Sequence, residues 1–122
     1  MPHPEAPNVL SPILLHFPAN KKYYAGQYVH YCPACKQIHP IAVDLPFSNG
    51  AKWSFNGDPE RPTFSPSVNN MTEYQPGKRH VCHYFIREGM IDYCGDCTHD
   101  LAGKKVPLPP IPDSVLGNWA LR

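Results

Sequence analysis

The sequence predicts an all-β or β-rich fold: one small domain of short antiparallel hairpins joined by proline-rich loops. Three observations lead there. Apolar residues rarely recur at helical spacing without a proline or glycine intervening. The runs rich in Tyr, Val, Ile and Phe are short and bounded by turn residues. Sixteen prolines in 122 residues break the chain often, while 42% hydrophobic content is enough for a packed core rather than disorder.

Taken in order, residues 1–20 read as an extended N-terminal segment. Lys21–Tyr31, "KKYYAGQYVHY", is a tyrosine- and valine-rich strand that runs into Cys32. His39–Leu45, "HPIAVDL", is a second strand leaving the far side of the "CPAC" turn. Trp53 and Phe55 alternate with polar neighbours as strand residues do. Asn56-Gly57-Asp58-Pro59 is a turn. Pro59, Pro62 and Pro66 hold the next segment extended.

"RHVCHYFIREGMIDYC" is the best strand pair, with Glu88-Gly89 as its turn. A two-residue loop sets Ile86 opposite Ile91, Tyr84 opposite Tyr93 and His83 opposite Cys94. It also puts Cys82, Tyr84 and Ile86 on one face, and His83 and Phe85 on the other. The segment 106–122 is a short strand, then proline-rich extended chain, then one helical turn from Asp113 to Trp119. Length and composition indicate a single domain over residues 1–122.

Several function classes are disfavoured at once. A net charge of +1, with Lys and Arg scattered, gives no electrostatic footprint for nucleic acid. No apolar run reaches the ~20 residues of a membrane span. The first residues lack the charged and apolar regions of a signal peptide, so a cytosolic protein is expected.

In a reducing compartment, paired cysteines point to metal ligands more than to disulfides. Two pairs occur at Cys-x-x-Cys spacing, Cys32/Cys35 and Cys94/Cys97. Thiolates two residues apart can turn inward from one knuckle and take adjacent corners of a zinc tetrahedron. The fold class is thus completed as hairpins around a zinc site. The simplest ligand set is Cys32, Cys35, Cys94 and Cys97. A mixed set takes Cys32 and Cys35 with Cys82 or His83 and Cys97 or His99. His39, His83 and His99 are candidates for ligands or their supporting partners, whereas His3, His16, His30 and His80 read as surface or packing residues.

Redox chemistry at "CPAC" would need a helix after the first cysteine, and Pro40 with β-branched neighbours forbids one. Cys82 and His83 point to opposite faces and cannot pair. Asn56, Asp58, Thr63, Ser65 and Ser67 either line a ligand surface or cap turns.

The motifs W-x-F-N-G, P-T-F-S-P-S, C-H-x-F, G-x-I and D-C-T-H-x-L-A-G follow one another between Trp53 and Gly103. In that order, with the Cys-x-x-Cys of Cys32 and Cys35 before them and a match running from about Tyr31 to Pro110, they resemble a family of small phage and prophage proteins, the domain of unknown function 6527 family, often labelled ammonia monooxygenase. The resemblance implies conserved chemistry at Cys32, Cys35, Cys82, His83, Asp96, Cys97 and His99, and not at Cys94. The expected metal ligands are therefore Cys32 and Cys35 with two of Cys82, His83, Cys97 and His99. The resemblance implies a zinc-stabilised phage accessory or minor virion protein, a protein-binding module in the bacterial host cytoplasm or in the virion. The alternative is a metal-dependent, peptidase-like hydrolase using the Asp96/Cys97/His99 corner, with Asp96 and His99 catalytic. A closed four-ligand site would favour structure; an open position would favour catalysis.

Overall fold

The computed structural model describes residues 6–18 and 26–119. Two antiparallel sheets make up the fold. The first has four strands in sequence order: β1 (Asn8–Ser11), β2 (Leu14–Phe17), β3 (Gln27–Cys32) and β4 (Gln37–Ala42). The second has five, also in sequence order: β5 (Ser54–Phe55), β6 (Phe64–Gln75), β7 (Lys78–Arg87), β8 (Met90–Tyr93) and β9 (Lys105–Pro107). A short helix, α1 (Asp113–Leu116), and a 3₁₀ turn at Gly117–Trp119 end the described chain.

The β-rich expectation holds, and its hairpin registers hold with it. Ile86 lies opposite Ile91 and Tyr84 opposite Tyr93. The turn works because Glu88 and Gly89 both take positive φ, 50° and 78°. That is the backbone hand of a two-residue hairpin loop. A Cβ on Gly89 would meet the Arg61 backbone at 3.4 Å, so the glycine also makes room for a neighbouring loop. The N-terminal segment is less featureless than expected: from Asn8 to Phe17 it folds into the β1–β2 hairpin. Lys21 to Ala25 of the expected first strand lie outside the described residues.

The sheets face each other across one core. Leu14, Cys32 and Ile41 from the first sheet meet Phe64, Val68, Cys82, Tyr84, Ile86, Ile91 and Tyr93 from the second. Alternation dictates this, since every second side chain of β7 turns inward. Cys82, Tyr84 and Ile86 are buried, while His83 and Phe85 lie on the outer face.

The proline-rich tail packs on its own first sheet. Ile111 is buried with Leu15, Phe17 and Val29, and Val115, Leu116 and Trp119 close over them. The Ile111 amide donates to the Pro12 carbonyl at 2.8 Å, tying the tail to the β1–β2 turn.

Candidate functional site

β7 separates two clusters of reactive side chains. On its inner face, the Cys32–Cys35 knuckle between β3 and β4 meets Cys82. The knuckle is a tight turn in which the Lys36 amide donates to the Cys32 carbonyl at 2.8 Å. The Cys35 amide points at Cys32 Sγ, 3.3 Å away. Lys36 takes the positive φ of 57° that this turn requires. No helix follows, which leaves the redox reading without its dipole.

Cys32 Sγ is 3.8 Å from Cys82 Sγ and accepts a hydrogen bond from the Tyr93 hydroxyl at 3.0 Å. The ligand atoms of Cys32, Cys35 and His39 lie within 4.8 Å of one another. His80 Nε2 is 3.3 Å from Cys35 Sγ. His99 stacks edge-on against Tyr93, with ring centroids 4.6 Å apart, and its buried Nε2 has no hydrogen-bond partner. This group of thiols and imidazoles can hold a metal ion.

The electrostatics fit a cation. The Cys32 thiol is pulled down to about 4, first by the Cys82 thiol that bonds to it, then by Tyr93 and the Cys35 amide, against the opposing effect of burial. Cys82 is pushed up, first by that same bond to Cys32 and then by burial. Cys35 is pushed up to about 11 by burial and by the neighbouring Cys32 charge. Burial lowers His39 and His99, which disfavours their charged forms. Clustered thiols and imidazoles, one thiol of them pulled down, are a donor set that a soft dication satisfies by displacing protons.

Behind this cluster lies a hydrogen-bonded chain. His30 Nε2 and His39 Nδ1 sit 2.7 and 3.0 Å from the Tyr84 hydroxyl. The hydroxyl has one proton, so it donates to one imidazole and accepts from the other. His30 is thus buried, within the surface-or-packing reading of the sequence, and carries a hydrogen bond besides.

On the outer face, the geometry is different. Ser67 Oγ lies 3.0 Å from His83 Nε2. Both oxygens of Asp96 lie 3.2 Å from His83 Nδ1. A carboxylate only accepts, so Nδ1 carries the proton and donates to Asp96; in the neutral ring, Nε2 then accepts from the Ser67 hydroxyl. A hydroxyl, an imidazole and a carboxylate thus stand in line, an order that acyl-transfer chemistry can use.

A bulge aims Ser67. Phe64 pairs with Ile86 and Val68 with Tyr84, so residues 65–67 of β6 sit opposite the single residue Phe85. Such extra residues re-aim side chains beside active sites. Ser65–Pro66 is a cis peptide, and the Ser67 carbonyl accepts from the Trp53 indole at 3.1 Å.

Two of the six expected metal ligands have further partners in this geometry. The His83 ring belongs to the outer face. Cys97 Sγ accepts from the His83 amide at 3.3 Å and donates to its carbonyl at 3.1 Å. Cys32, Cys35 and Cys82 come together on the inner side, and His99 packs beside them against Tyr93. Asp96, Cys97 and His99 do not converge: Asp96 faces outward, His99 inward, and Cys97 the β7 backbone. Cys94 Sγ lies within 4.8 Å of His83 and Asp96, so a cation could also bridge that trio. Sequence offers Ser67 only as one of several polar residues that line a ligand surface or cap turns, since a serine among prolines carries no spacing signal of its own.

Comparison with known proteins settles the family. Residues 3–94 match the model of the BubE family, described as a bacterial ubiquitination-like system serine protease, and the chain belongs to that family. This corrects the expected phage resemblance, and with it the phage accessory or virion role: the matching family is a bacterial protease family. The peptidase-like alternative is the better-supported reading. No curated protein and no solved structure gives a significant match. Among the described residues, no helix is long and apolar enough to cross a membrane.

Proposed function

We propose that this BubE-family chain is a serine hydrolase of the peptidase class, with Ser67 as nucleophile, His83 as general base and Asp96 as its orienting carboxylate. The observation that carries it is the Ser67–His83–Asp96 alignment, found in a chain whose family is described as a serine protease. Ser67 Oγ attacks the carbonyl carbon of a peptide or related acyl bond while its proton passes to His83 Nε2. The protonated imidazole, held by Asp96, then gives that proton to the leaving amine. Water repeats the sequence and releases the acid.

The partner class this implies is a peptide or protein substrate presented to the exposed outer face of the second sheet. The shared core supports treating the chain as a single domain. Hydrolysis of an activated ester by wild type and by Ser67→Ala, both checked for folding, tests the reading. Equal rates would end it.

Zinc is the proposed ion at the inner cluster, with a structural role. Thiolate and imidazole donors favour it over calcium or magnesium. The ligands proposed are Cys32, Cys35 and Cys82, closed by His99, whose orphaned buried Nε2 would thereby gain a partner. His39, with Tyr84 on its other nitrogen, is the competing fourth ligand. Buried thiols on β3 and β7, joined by one ion, would lock the two sheets together. Metal content of Cys35→Ala, His39→Ala and His99→Ala decides the set.

A further inference from the structure

We propose that Cys97 and Thr98 are positioning residues that replace a missing strand and so deliver Asp96 to His83; this rests on the serine-hydrolase reading above. β8 stops pairing with β7 after Tyr93. Beyond that point the amides of Val81 and His83 face loop 94–99 instead of a strand. Buried or half-buried amides need acceptors, and here two side chains supply them. The His83 amide donates to Cys97 Sγ at 3.3 Å, and the Val81 amide donates to Thr98 Oγ1 at 2.9 Å.

The loop completes the ladder from its own donors. The Cys94 amide donates to the His83 carbonyl at 2.8 Å, and the Thr98 amide to the Val81 carbonyl at 3.0 Å. The Cys97 thiol donates to the His83 carbonyl at 3.1 Å.

The consequence is geometric. A true strand continuing from Tyr93 would keep its backbone flat against β7, and residue 96 would stay in the sheet. Because side chains share the pairing with the Cys94 and Thr98 amides, the backbone between Cys94 and Cys97 leaves the ladder as an outward turn, closed by the Cys97 amide donating to the Cys94 carbonyl at 3.3 Å. Asp96 sits at that excursion, with both oxygens at His83 Nδ1. The thiol that reads as a metal ligand in the sequence therefore serves the catalytic face. It grips the backbone of the residue whose ring Asp96 must reach.

The test compares Cys97→Ser, Cys97→Ala and Thr98→Val with wild type, using a fluorophosphonate probe for Ser67, metal analysis, and proton NMR of the His83 Nδ1–H to Asp96 bond. A serine hydroxyl can still accept and donate at position 97, so Cys97→Ser is expected to keep its labelling rate within about threefold and to keep the downfield proton. Cys97→Ala and Thr98→Val are expected to label at least tenfold more slowly and to lose that proton signal. All three variants should hold as much metal as wild type. Loss of metal from Cys97→Ala would make Cys97 a ligand and overturn the proposal. So would full labelling with an intact downfield proton in both Cys97→Ala and Thr98→Val. Failure of wild type to label at all would instead sink the hydrolase reading.

Discussion

Cys82 and His83 are neighbours in sequence, yet they serve opposite faces of one strand. Cys82 Sγ lies 3.8 Å from Cys32 Sγ in the core, and the His83 ring lies between Ser67 and Asp96 on the surface. The period-two alternation of a β-strand makes this arrangement unavoidable once β7 forms. It couples the stability of the core to the geometry of the outer site through a single peptide unit.

The orienting carboxylate should matter to rate far more than to folding. Asp96 is mostly exposed, so Asp96→Asn removes a charge at little cost in stability. The amide can no longer hold the Nδ1–H tautomer, and hydrolysis should fall by about 10²–10⁴. Rates of activated-ester hydrolysis, with thermal melts as control, check this.

The inner cluster should behave as a staple. Cys32→Ser and Cys82→Ser should lose bound zinc and melt lower, and strong chelators should lower the melting temperature of wild type. Cys94→Ala, which removes a thiol beside His83 and Asp96, should retain its inner metal. Elemental analysis beside thermal melts distinguishes these outcomes.

The hydrogen-bonded chain behind that cluster should be costly to break. Tyr84 is wholly buried and its hydroxyl serves two imidazoles. Tyr84→Phe keeps the ring packing and strands buried nitrogens on His30 and His39, at about 1–3 kcal/mol for each group left unpaired. Denaturant titration reads the loss directly.

Acid should act through His30. Burial, with the neighbouring His39 adding to it, lowers its imidazole to about 3, so the folded protein keeps it neutral. An unfolded histidine titrates near 6.5. Its contribution is fully present above that pH and is lost as pH falls from about 6.5 toward about 3. Unfolding takes up one extra proton in that window, a slope of at most about 1.4 kcal/mol per pH unit. Between pH 7 and 5, wild type should lose stability more steeply than His30→Gln. Chemical denaturation at the two pH values measures the difference.

Much of the fold was legible because it rests on local chemistry. Glu88-Gly89 announced a tight hairpin turn, and alternation along "HVCHYFIR" placed Cys82 inward and His83 outward. The Cys-x-x-Cys knuckle announced itself by spacing. The outer triad did not, because Ser67, His83 and Asp96 come from a bulge, a strand and a loop that only tertiary pairing brings together. The outward turn of His83 and the backbone contacts of Cys97 were hidden because sequence shows residue type without direction. Cys97 lies close in sequence to His99, yet its thiol turns to the β7 backbone. The long β6 strand was hidden by Pro66, which sits in the bulge where no ladder bond is needed.

The most direct measurement is the site of covalent modification after reaction with a fluorophosphonate, located by peptide mass spectrometry. A nucleophile activated by His83 predicts one adduct, on Ser67, lost in His83→Ala. Unmodified Ser67 in folded, metal-loaded protein, or an adduct whose yield ignores His83, would contradict the proposed catalytic centre.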